Sequence, residues 1–138
     1  MRIGAMPRGI EQVLTDRGLC GMSLGATVEE LRARFGATLS QERHDLIRLG
    51  DEITLLMRDE RVVEVTWIRG FSEESAQRDA GNAVRRELRR RFGVAEGARR
   101  FPAWRSPDGR IWTSQWHARA TPDGTKGLYF VKVVLDHH

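Results

Sequence analysis

The chain has 138 residues, 40% hydrophobic and 30% charged, with a net charge of +4. That is enough for one domain with a single core and too little for two independent ones, and the balance is globular rather than disordered. No apolar run approaches the roughly 20 residues of a membrane helix, and a single cysteine excludes an internal disulfide or a thiolate metal site.

The first 18 residues contain no continuous apolar segment of the signal-peptide type, so a cytoplasmic protein without a membrane role is expected. The charge is unevenly spread. Residues 1–71 carry 10 basic and 11 acidic side chains, and residues 72–138 carry 13 and 8, giving −1 and +5. A basic half directs attention to nucleic acid or an acidic protein surface as partner.

In chain order, a helix is expected from Pro7, with Ile10, Val13 and Leu14 on one face and Gly18 as its stop. A second helix lies in "GATVEELRARFG". Thr27 and Glu30 form a capping box, Val28, Leu31 and Phe35 fall at helical spacing, and Gly36 closes it. Three strand-like runs follow: "RHDLIRLG", "DEITLLMRD" and "RVVEVTWIRG", the last two joined by a tight turn at "DER". In the third, Val63, Val65 and Trp67 share one face and Glu64 and Thr66 the other, as in an antiparallel sheet with one wet side.

A longer helix is predicted over 72–93, capped by Ser72, with Ala76, Ala80, Val84, Leu88 and Phe92 on its buried ridge. "ARRFPAWRSPDG" reads as a loop. Two further strands, "RIWTSQWHARA" and "GLYFVKVVLDH", are joined by "TPDGTKG". "ELRARFG" at 30–36 and "ELRRRFG" at 87–93 differ at one position, and "VEV" at 63–65 answers "VKV" at 131–133. A duplicated helix-plus-sheet unit, with halves 7–70 and 71–138 in a single domain, would explain both pairs; chance competes in so arginine-rich a chain.

No catalytic signature emerges. Cys20 lacks the framing of a nucleophile, and His44 and His117 lack the paired spacing of a metal site. The acidic residues Glu29, Glu30, Asp51, Glu52, Asp59 and Glu60 flank turns or cap a helix. No catalytic residue, metal or cofactor is therefore expected. The conspicuous chemistry is an arginine cluster, Arg85, Arg86, Arg89, Arg90 and Arg91, with Arg99, Arg100 and Arg105 beyond it. It suits phosphates or the carboxylates of an acidic partner. Trp104, Trp112 and Trp116 are the second feature. Residues 112 and 116 share one face of a strand, and they are core if Ile111 and Thr113 face solvent, interface anchors if the sheet presents them outward.

The stretch "GMSLGATVEELRARFG" followed by "LIRLGDEITLLMRDERVVEVTWI" resembles the bacterial helix-plus-sheet module of the beta-lactamase inhibitor protein and the small outer-membrane assembly lipoproteins. It is more similar to immunity-type proteins. Leu24, Gly25, Thr27, Glu30, Leu31, Phe35 and Gly36 carry the helix part; Leu49, Gly50, Asp51, Asp59, Arg61, Val62 and Val65 carry the strand part. The resemblance implies an α+β fold of short helices on an antiparallel sheet, with the sheet presenting the partner-binding face. It also implies a non-catalytic immunity role, neutralising a cognate toxin with an acidic surface. The expected contact residues are Arg85, Arg86, Arg89, Arg90, Trp104, Arg105, Trp112 and Trp116. The alternative is a small basic nucleic-acid-binding protein using the arginine-rich helix.

Overall fold

The computed structural model describes residues 9, 12–16, 18–97, 101–120, 122–123 and 127–137. The fold is α+β: two α-helices lie on one seven-stranded antiparallel sheet. In chain order the elements are α1 (Val28–Phe35), a 3-10 turn (Gly36–Thr38), β1 (Leu39–Arg43), β2 (Leu46–Leu49), β3 (Ile53–Arg58), β4 (Arg61–Phe71), α2 (Glu74–Phe92), β5 (Ala103–Arg105), β6 (Arg110–Ala120) and β7 (Gly127–His137). The sheet order is β1-β2-β3-β4-β7-β6-β5. β4 and β7 therefore meet at the centre, with Thr66 opposite Val134 and Trp67 opposite Val133.

Alternation explains which face is buried, because successive strand side chains point to opposite sides. Ile47, Leu55, Val65, Leu135, Trp112 and Trp104 form one row in register across six strands, and all are buried. Leu49, Ile53, Trp67, Val133 and Ser114 form the next. Both rows face the helices and belong to one core with Leu31 and Phe35 of α1 and Ala80, Val84 and Leu88 of α2. Val62 joins that core and Val63 does not. The register slips beside Met57, pairing it with Val62 and Leu56 with Glu64, so the expected Val63–Val65–Trp67 face becomes Val62, Val65 and Trp67.

α1 begins as the sequence requires, with the Glu30 amide donating to the Thr27 hydroxyl at 3.2 Å. Its C-terminal glycine, Gly36, has φ 46° and donates its amide to the Arg32 carbonyl. α2 starts later than expected. Its N-cap is Glu73, with no side-chain cap bond, rather than Ser72. None of the described helices is long and apolar enough to cross a membrane.

The helix expected from Pro7 lies partly outside the described residues, and its described part is not α-helical. Leu14 pairs with Leu19 and Leu19 with Met22 in short antiparallel bridges. The bends that allow this include Gly18 and Cys20 at positive φ. This segment supplies Val13, Leu14, Leu19 and Met22 to the core. Arg91 of α2 fastens it, donating to the carbonyls of Leu14 at 2.9 Å and Thr15 at 3.3 Å. Two short strands were also absent from the sequence reading: β1 at one edge, and β5 inside the stretch read as a loop.

Candidate functional site: the open face of the sheet

α2 spends most of its conspicuous chemistry on the fold. Arg85 lies 4.4 Å over the Trp116 ring, and partial burial pulls its pKa below the ordinary arginine value. Arg91 holds the 13–22 segment, as described. Glu87 accepts from both Arg90 and Arg91, and these two hydrogen bonds hold its carboxyl well down, at about 2. Arg86 and Arg89 are exposed and make no ion pair among the described residues. Arg99 and Arg100 lie outside the described residues.

The tryptophans need a correction. Trp104 and Trp112 are 4% and 2% exposed, paired across β5 and β6 on the helix-facing side. They are core side chains and cannot serve as outward anchors. Trp116 is half-buried on the same face, lying against α2 where Gly81 makes room for its indole. The sequence condition was sound: Ile111 and Thr113 occupy the other face, so the tryptophans point inward. Arg105 alone of the expected contact set lies on the side away from the helices.

The helices and the 13–22 segment pack on the core face. The opposite face presents a row that crosses all seven strands in register: Ser40, Arg48, Thr54, Thr66, Val134, Thr113 and Ala103. Its central members are half-buried rather than covered. On one side of this row lie Leu56, Glu64, Asp136, Ile111 and Arg105. On the other lie Ile68, Lys132 and Gln115, then Gly70, Phe130 and His117.

Local sequence explains the shape of this face. Gly70 sits opposite Phe130, and a Cβ there would meet the ring at 3.0 Å. The missing side chain therefore lets the phenyl lie across β4. Arg119 then sits 5.4 Å over the same ring. A guanidinium stacked on an aromatic keeps its in-plane N–H groups available to carboxylate or phosphate. Leu128, at 37% exposure, extends the apolar part of this end. The period-two pattern Leu128, Phe130, Lys132, Val134, Asp136 in the last strand was the sequence signal for this surface.

The acid–base candidates are dispersed. Cys20 is buried, and burial, reinforced by Glu52, pushes its thiol up to about 12, so it is not a thiolate near neutrality. His117 is exposed on β6, its ring nitrogen 3.2 Å from Gln115. His44 lies in the β1–β2 turn, beside a groove of about 720 Å³. The groove also gathers Glu29, Asp45, Asp59 and Glu60. The described residues contain no group of three or more side chains placed to hold a metal. Glu52 is taken up structurally, accepting from both Arg69 and the Trp67 indole.

No protein-family model, curated protein or solved structure matches the chain.

Proposed function

We propose that the protein is a non-catalytic protein-binding module that docks its partner on the open face of the sheet. The particular role proposed is that of a cytoplasmic immunity protein covering the active site of a cognate toxin. The observation that supports this is the one-sided sheet: its buried residues face the helices, and the other face carries a registered row whose central members are Thr54, Thr66, Val134, Thr113 and Ala103. A row of small side chains flanked by charged and aromatic residues is a surface on which a folded partner can seat closely. Interfaces of this sort gain affinity from desolvated contacts at their centre and specificity from charges around them.

The proposed contact set moves accordingly. Arg105 remains in it. Arg85 is stacked on Trp116 of β6 and Arg90 is paired with Glu87 within α2, and Trp104 and Trp112 belong to the core. Arg48, Glu64, Thr66, Arg119, Lys132 and Asp136 take their place.

The test is affinity capture from nuclease-treated lysate of the native host at moderate salt, followed by mass spectrometry. One stoichiometric protein partner is expected. Loss of all retained material on nuclease treatment would overturn the reading.

A second reading is favoured by one observation: Arg86 and Arg89 are exposed and make no ion pair among the described residues. In it the helix binds the phosphates of a nucleic acid, and affinity falls steeply with salt. Substituting glutamate at both positions would abolish such binding and leave open-face docking intact.

A further inference from the structure

The seam between β4 and β7 separates charge along the open face. Val65 pairs with Leu135, so Glu64 and Asp136, the next residues outward on each strand, are cross-strand neighbours on that face. Like charges placed this way repel. The Glu64 carboxyl is raised from its ordinary value, first by partial burial and then by Asp136, with Lys132 acting against them. Four residues along β7 from Asp136 the sign reverses. Lys132 sits opposite Ile68, and beyond it Arg119 is stacked on Phe130. At about 3.4 Å per residue, the backbone positions of Asp136 and Lys132 are about 14 Å apart along β7. Between them lie Thr66, Val134 and Ile68, which are uncharged.

A nucleic acid presents phosphates at regular intervals along its length. A strand following this seam would meet Lys132 and Arg119 favourably and then run its phosphates against the paired carboxylates. A polypeptide can place one basic and one acidic side chain at a chosen spacing. From this we infer that the open face is built for a protein segment of mixed charge, with a cation seated at Glu64 and Asp136 and a carboxylate at Lys132 and Arg119. The inference rests on the proposed protein-binding role and specifies the partner's chemistry at the same face.

The pattern can be tested before any partner is identified. The probe is acetyl-Arg-Thr-Val-Thr-Glu-amide, titrated into 15N-labelled protein with backbone amide shifts as the readout. Acetyl-Glu-Thr-Val-Thr-Glu-amide, acetyl-Arg-Thr-Val-Thr-Arg-amide and a uridine 20-mer are the comparisons. The mixed peptide should shift amides of β4 and β7 and bind about threefold or more tightly than either like-charged peptide, the scale of exposed ion pairs. Combining Glu64→Gln with Asp136→Asn should remove its advantage over the Glu–Glu peptide, and retained spectral dispersion would show that the variant is folded. The inference is overturned if the Glu–Glu peptide or the uridine 20-mer binds this face as well as the mixed peptide does. It is equally overturned if neutralising Glu64 and Asp136 strengthens mixed-peptide binding, or if the mixed peptide shifts no open-face amide at roughly 10 mM. A single protein captured from lysate alongside any of these results would leave the binding role standing and remove only the charge pattern.

Discussion

A Cβ placed on Gly81 would lie 2.3 Å from the indole of Trp116. The contact fixes how closely α2 approaches β6, and Arg85, one turn along the helix, stacks 4.4 Å over the same ring. Gly81→Ala is therefore expected to destabilise the fold by about 1–3 kcal/mol through overpacking, even after the gain of about 1 kcal/mol that alanine brings to a helix interior. Urea denaturation measures this. An unchanged or raised midpoint would show that α2 is free to move outward.

Gln77 does the corresponding polar work. Its side-chain amide donates to the carbonyls of His117 at 2.8 Å and Phe130 at 2.9 Å, tying α2 to β6 and β7 from a buried position. Gln77→Ala leaves both carbonyls without this donor. A loss of about 2–3 kcal/mol is expected, since buried acceptors deprived of partners carry their desolvation cost. Amide exchange should quicken first around residues 117 and 130.

The turn between β3 and β4 holds two non-glycine residues in the left-handed region, Asp59 at φ 52° and Glu60 at φ 63°. A two-residue hairpin of this shape favours glycine at its second position. Glu60→Gly should raise stability by roughly 0.5–1 kcal/mol, visible as an increase in Tm.

Acid should loosen the α2 end. Glu87 has its carboxyl lowered from 4.5 to about 2 by hydrogen bonds from Arg90 and Arg91. A carboxyl depressed in this way stabilises the fold when ionised. The contribution is complete above about pH 4.5 and fades as pH falls towards 2. Exposure to solvent and salt keeps it smaller than the shift alone implies. Because Arg91 also holds the carbonyls of Leu14 and Thr15, amides near residues 13–22 should lose protection over that range. Glu87→Gln should flatten the dependence; a profile identical to the parent would contradict this role.

Elements written by strong local patterns were legible in the sequence. β6 coincides with "RIWTSQWHARA", and α1 follows from the Thr27 cap and the closing Gly36. β1 was missed because "LSQER" is a polar edge strand with little apolar alternation, and β5 because three residues after Pro102 give no period. The helix expected from Pro7 rested on the spacing of Ile10, Val13 and Leu14; around Leu14, Leu19 and Met22 tertiary contacts hold the chain instead in bridges over the core. At the site, arginine's chemistry was legible but its employment was not. Arg85 and Arg91 are committed to Trp116 and to carbonyls far away in sequence, which only the packed fold reveals. Which side of β6 faced inward depended in the same way on where α2 landed.

The central proposal is that the partner seats on the open face, and one comparison tests it most directly. Thr66 lies at the middle of that face, opposite Val134, so Thr66→Arg places a long charged side chain where the partner would sit. Capture of the host partner by the parent, by Thr66→Arg and by the doubly substituted Arg86→Glu, Arg89→Glu protein should be measured side by side, with folding checked by circular dichroism. Retention by the helix-face variant together with loss by a folded Thr66→Arg protein is the predicted result. Retention by Thr66→Arg and loss by the helix-face variant would contradict it and assign binding to α2.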